Sequence, residues 1–145
     1  MTRVDFYLLA DVDLVARDRF ACRLAQRAAG AGQGVHVHLS SEKALTHFDE
    51  LLWNYPAERF VPHEVLAGDQ AARPRSPISL GASLPTDCDG VLINLGEAVP
   101  DFFARFDRVA EIVVEENKTA GRDRYKLYRD RGYPLHHHDI EDWEA

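Results

Sequence analysis

Apolar and polar positions repeat with two different periods along this chain, and each change of period marks an element. Val4 to Ala10 (VDFYLLA) is a short, mostly apolar run with β-branched and aromatic members, which predicts a buried strand. From Leu14 to Ala29 the apolar residues recur at helical spacing through Val15, Phe20, Leu24 and Ala28. The glycines at 30, 32 and 34 then end that helix. Val35, Val37 and Leu39 alternate with His36 and His38, which predicts a second strand. Ser40 or Ser41 caps a helix running to about Trp53, with Ala44, Leu45, Phe48, Leu51 and Leu52 on its core face.

Asn54 to Pro62 is irregular, because Pro56 and Pro62 deny helix continuation. Ala67 to Pro77, rich in Gly, Ala, Arg and Pro, is a surface loop. Ile78 to Leu80 and Val91 to Leu95 are short strands. Pro100 opens a helix through Phe102, Phe103, Phe106 and Val109, and Ile112 to Val114 is a further strand. A last helix lies in the stretch from Lys118 to Tyr133. Strands that alternate with helices predict an α/β layered domain with a largely parallel sheet. No repeat, low-complexity tract or linker divides the chain, so residues 1–145 are expected to form one domain.

Charge adds one feature to this picture. The chain carries a formal net charge of −7, which argues against a general affinity for phosphate backbones. Yet KTAGRDRYKLYRDRGY is basic and aromatic. At helical pitch Lys118, Arg122, Lys126 and Arg129 fall on one narrow face with Tyr125 beside them. Like charges one turn apart repel, so an anionic partner is expected to offset them. A row of cations with a ring among them suits an anion that also carries an apolar group.

Other chemistry is weakly represented. Cys22 and Cys88 are too few for a disulfide framework and read as reduced cytosolic thiols. With no signal peptide and no apolar run near 20 residues, the expected location is the cytoplasm. The glycine cluster follows the first helix, whereas a dinucleotide loop precedes it; Asp11 and Asp13, at the place of that loop, repel phosphate. The histidines lack zinc-site spacing, so His36, His38 and His136 to His138 are expected on a solvated surface, with no metal and no cofactor. His63 is expected to cap or hydrogen-bond a turn. No G-x-S-x-G turn is present, and no enzymatic activity is expected. Trp53 points off the core face of its helix. It either folds back under the proline-rich segment or, with Tyr55 and Phe60, leaves apolar surface for a protein partner.

Two segments carry a resemblance. LWNYPAERFVPHEVLAG (Leu52 to Gly68) and RDRYKLYRDRGY (Arg122 to Tyr133) resemble the two signatures of the chi subunit of bacterial DNA polymerase III holoenzyme. VDFYLL, VLINLG and the segment from Phe102 to Val114 fit the same family. The resemblance implies a Rossmann-like, three-layer α/β domain with a mostly parallel mixed sheet, no nucleotide site and no catalytic activity. It also implies two partners, and DNA only indirectly. One is the psi subunit of the clamp-loader complex, at the positions of Trp53 and Phe60. The other is the acidic C-terminal tail of single-stranded DNA-binding protein, with its terminal phenylalanine and carboxylate. The tail-binding role falls on Arg122, Lys126 and Tyr125, with Lys118 and Arg129 steering the acidic segment and Val113 or Val114 as apolar floor. Direct single-strand binding and a nucleotide-dependent enzyme are the alternatives.

Overall fold

The computed structural model describes residues 1–55, 62–66 and 74–144. Its strands are β1 Arg3–Leu9, β2 Val35–His38, β3 His63–Val65, β4 Ile78–Gly81, β5 Val91–Asn94, β6 Arg108–Val113 and β7 Leu135–Ile140. Its helices are α1 Leu14–Gly30, α2 Glu42–Asn54 and α3 Lys118–Asp130. The strands form one sheet in the order β3-β4-β2-β5-β6-β1-β7. Every described pairing is parallel, so among the described residues the sheet lacks the antiparallel strand a mixed sheet would contain. Parallel strands need crossovers, and these put helices on both faces.

Local chemistry sets the helix ends. Asp13 accepts from the Ala16 amide at 3.2 Å to cap α1, and Ser41 accepts from the Ala44 amide at 3.1 Å to cap α2. Beyond α1 and α3, Gly32 and Gly132 adopt positive φ (87° and 81°), and the next amides, of Gln33 and Tyr133, return to the carbonyls of Ala28 and Tyr128. Only glycine takes that left-handed turn without strain, which is why both helices stop there.

Two cores lie on opposite faces of the sheet. One packs α1 and α2 onto the strands through Phe20, Phe48, Leu52, Val37, Ile93 and Ile112. The other gathers Val4, Phe6, Leu92, Phe103, Phe106 and Tyr128 under α3 and a short 3-10 turn.

Four expectations need correction. The helix predicted from Pro100 is only the 3-10 turn Phe103–Arg105. Phe103 and Phe106 are both buried at the three-residue spacing that a single such turn satisfies. The chain then enters the sheet early, through Asp107 and Arg108 amides donating to the carbonyls of Asp89 and Gly90, so β6 begins at Arg108 and holds Val109. Second, His36 and His38 are buried rather than solvated, because β2 is an inner strand with both faces covered. The Gly81 carbonyl can only accept, so His36 Nε2–H donates to it (3.1 Å). Nδ1 is thereby left to accept from the Ser79 hydroxyl (2.8 Å). Third, β3 and β7 were not foreseen. They are edge strands with few apolar residues, held by their neighbours' free backbone groups. Fourth, His63 belongs to β3 and pairs with Asp49 of α2 at 3.0 Å instead of serving a turn.

Candidate functional site

The site is built on α3, which crosses over β1 on its way from β6 to the edge strand β7. Its inward face is Gly121, Arg124 and Tyr128. Gly121 lets the helix approach β6, since a Cβ there would stand 3.0 Å from Val113 Cγ2. Arg124 and Tyr128 converge on Glu111, a fully buried acid in the middle of β6. Arg124 Nε donates to Oε1 at 2.8 Å, while the Tyr128 hydroxyl (2.6 Å) and Asn94 Nδ2 (2.9 Å) donate to Oε2. Arg124 Nη1 also donates to the Glu97 carbonyl at 3.1 Å. Burial, and then the neighbouring Glu111 charge, push the Tyr128 hydroxyl pKa well up, so it stays a proton donor. A buried ion pair is weak evidence of net stability, but its directional bonds set the rotation of α3 about its axis.

With that rotation set, the predicted stripe faces outward. Lys118, Arg122, Lys126 and Arg129 are all exposed. The two ends are partly compensated: Lys118 lies 3.9 Å from Glu115, and Arg129 lies 3.2 Å from Asp130. Among the described residues, Arg122 and Lys126 in the middle make no ion pair. Tyr125, half-buried at the border of the stripe, sets its ring edge-on to Phe6 at 5.4 Å. Val113 lies on this face of the sheet, whereas Val114 is buried in the opposite core. The arrangement presents two uncompensated cations one helical turn apart, next to an aromatic ring on an apolar base. That is a surface for a carboxylate attached to something apolar.

A second exposed feature lies at the other edge of the sheet. Trp53, near the end of α2, is 58% exposed and rests edge-on against the His63 ring at 4.9 Å. Tyr55 is not part of that surface. Its ring lies beneath the guanidinium groups of Arg19 and Arg23 (5.7 and 5.6 Å), and its hydroxyl accepts from Arg23. Phe60 lies outside the described residues.

Elsewhere, several charged groups near the start of α1 have local partners. Asp13 caps α1, Asp11 accepts from Trp143 Nε1 at 3.0 Å, and Glu116 accepts from the Leu14 amide at 2.9 Å. Acids therefore occupy the start of α1, where a nucleotide phosphate would sit. A groove of about 1110 Å³ runs between α1 and the strands on the other face. Its buried acid, Asp5, is already engaged by Arg3, Arg108 and His138. Burial raises the Asp5 pKa, but His138 and the two arginines outweigh it and hold the carboxyl below its usual range. Cys22 and Cys88 are buried free thiols whose pKa values burial pushes up, which makes them poor nucleophiles. Among the described residues no group of three or more His, Cys, Asp or Glu is placed to hold a metal.

The network of Arg124, Glu111 and Asn94 was not foreseen. A signal for it exists: Glu111 stands between apolar neighbours in VAEIVV, and a buried acid requires a cation or donors. Arg124 precedes Tyr128 by one turn, on the face opposite the stripe.

The family described as "DNA polymerase III chi subunit, HolC" matches residues 1–136. The chain is 41% identical over 143 residues to the DNA polymerase III subunit chi of Pseudomonas aeruginosa, covering 97% of this chain and 98% of that protein. It is 34% identical to the subunit chi of Escherichia coli K12 (93% and 96% covered). To that of Haemophilus influenzae it is 31% identical (90% and 92% covered).

Proposed function

The chain belongs to the family of DNA polymerase III chi subunits, and from that membership we propose that it is a non-catalytic, cytoplasmic adaptor of the replicative polymerase. In this reading α3 binds the acidic C-terminal tail of single-stranded DNA-binding protein. Arg122 or Lys126 pairs with the terminal carboxylate, and Tyr125 walls the terminal phenylalanine over Val113. Lys118 and Arg129, already paired locally, steer the acidic residues. Trp53 is the exposed anchor for the clamp-loader side, where the family's psi subunit docks.

The observation that carries the reading is the pair Arg122 and Lys126, which make no ion pair among the described residues and lie one turn apart beside Tyr125. Two exposed cations on an acidic chain, unpaired among the described residues, are matched by an acidic peptide end. The spacing of the two features supports an adaptor. Trp53 lies toward the β3 edge on one face and α3 toward the β7 edge on the other, across a seven-stranded sheet roughly 30 Å wide at about 4.8 Å per strand.

The test is titration of a labelled acidic peptide ending in phenylalanine. Arg122→Ala is expected to weaken binding at least about tenfold, or roughly 1.4 kcal/mol, and unchanged affinity overturns the site. The same variant should still co-purify with its clamp-loader partner, and Trp53→Ala should not. Tight binding of a labelled single-stranded oligonucleotide at physiological salt, with no partner protein, would favour direct DNA binding instead.

A further inference from the structure

The cations on α3 border one particular side of the helix. At about 100° per residue, Lys118, Arg122, Lys126 and Arg129 all lie within roughly 100° of Tyr125 in the same rotational sense, while Gly121, Arg124 and Tyr128 lie in the other. Tyr125 reaches from this side toward the sheet edge. There its ring meets His137 of β7, with centroids 5.2 Å apart and planes inclined by 38°. His137 in turn lies 6.3 Å from Phe6, the buried ring that Tyr125 also touches. Among the described residues β7 pairs only with β1, so its outer side is an open edge, and His137 is exposed on it. The three rings form a continuous aromatic surface that begins under the helix and ends at the sheet edge, rimmed by the stripe.

We propose that His137 is a further binding residue of this site, supplying the outer half of the aromatic surface that receives the last side chain of the acidic tail. This rests on the tail-docking reading. Tyr125 and His137 incline toward each other as two adjoining walls. An aromatic side chain whose carboxylate is held by Arg122 or Lys126 meets both, one by its face and the other by its edge. Ring–ring geometry favours such offset and edge contacts, so the second wall discriminates an aromatic end from an aliphatic one of similar size. His137 thus acts on specificity, while the cations act on affinity for the charge.

The experiment uses the full chain and two labelled acidic peptides that differ only in ending with phenylalanine or leucine. His137→Ala is expected to weaken the phenylalanine-ended peptide about fivefold and the leucine-ended peptide less than about twofold. His137→Phe, which keeps a ring at the edge, should bind both peptides like the parent chain. Unchanged affinity of His137→Ala for the phenylalanine-ended peptide, or an equal loss for both peptides, overturns the proposal. Arg122→Ala is measured alongside. If Arg122→Ala weakens binding and His137→Ala does not, only the role of His137 falls; if neither does, the tail-docking site falls with it.

Discussion

Arg122 and Arg124 stand two residues apart on one helix, carry the same charge and meet opposite environments. Arg124 points into the sheet, where Glu111 takes it at 2.8 Å and the Glu97 carbonyl takes a second bond. Arg122 points to water and has no ion-pair partner among the described residues. The difference separates two uses of a cation. Buried, it is a directional link that holds α3 at one angle and is costly to strand. Exposed, it has little effect on the fold and, in the proposed reading, is the charge that meets a ligand.

Breaking the buried side should give the largest effect. Glu111→Leu removes the acceptor of Arg124, Tyr128 and Asn94 together and leaves a guanidinium buried without its partner. A loss of about 3–5 kcal/mol is expected by denaturant titration. Adding Arg124→Met to that variant should recover much of the loss, because the unpaired charge goes with it. A double variant less stable than Glu111→Leu alone would mean that the network contributes more than mutual compensation.

Acid probes the same covered face through His36. Burial, opposed only in part by the Gly81 hydrogen bond, lowers its pKa from 6.5 to about 4. The unfolded chain therefore takes up this proton more readily than the folded one. Stability from His36 is fully present above about pH 6.5 and is lost as pH falls toward 4, on the order of 3 kcal/mol in all. Asp5, held below its ordinary value, adds a further loss in more acidic solution. Melting temperatures across pH 7 to 4 measure this, and a His36→Gln chain should show a flatter profile. Equal slopes for the two chains would contradict it.

The smallest expected effect is the stability change on Arg122→Ala, within about 0.5 kcal/mol of zero by the same denaturant titration. Paired with the expected tenfold loss in tail binding, this near-silence would distinguish a ligand-binding charge from a structural one. A stability loss above 2 kcal/mol would place Arg122 with Arg124 and undo the comparison.

The stripe was legible because helical pitch alone brings residues 118, 122, 126 and 129 to one face; no tertiary contact is needed to predict it. Inner strands such as β5 were legible for a similar reason, since the run from Val91 to Leu95 is largely apolar. The edge strands were not. LHHHDI looks like solvated loop, and it becomes β7 only because β1 offers it a free row of backbone donors and acceptors. The same distant pairing sets His137 beside Tyr125, twelve residues away in sequence and 5.2 Å away ring to ring. The predicted helix at Pro100 failed in reverse: aromatic spacing suited a helix, but pairing with β1 and β5 drew residues from 108 onward into the sheet.

By itself, then, the sequence determined the layered α/β class, the glycine stop of α1, a serine cap for α2, the face that carries the cations and, through its two signatures, the chi family. Those are properties of neighbours along the chain or of strings that can be compared. Only the tertiary structure decided which cations have partners, which valine faces α3, that His36 is buried and that Trp53 is exposed. Each depends on desolvation and on contacts between residues far apart in the chain, and neither leaves a local trace in composition or period.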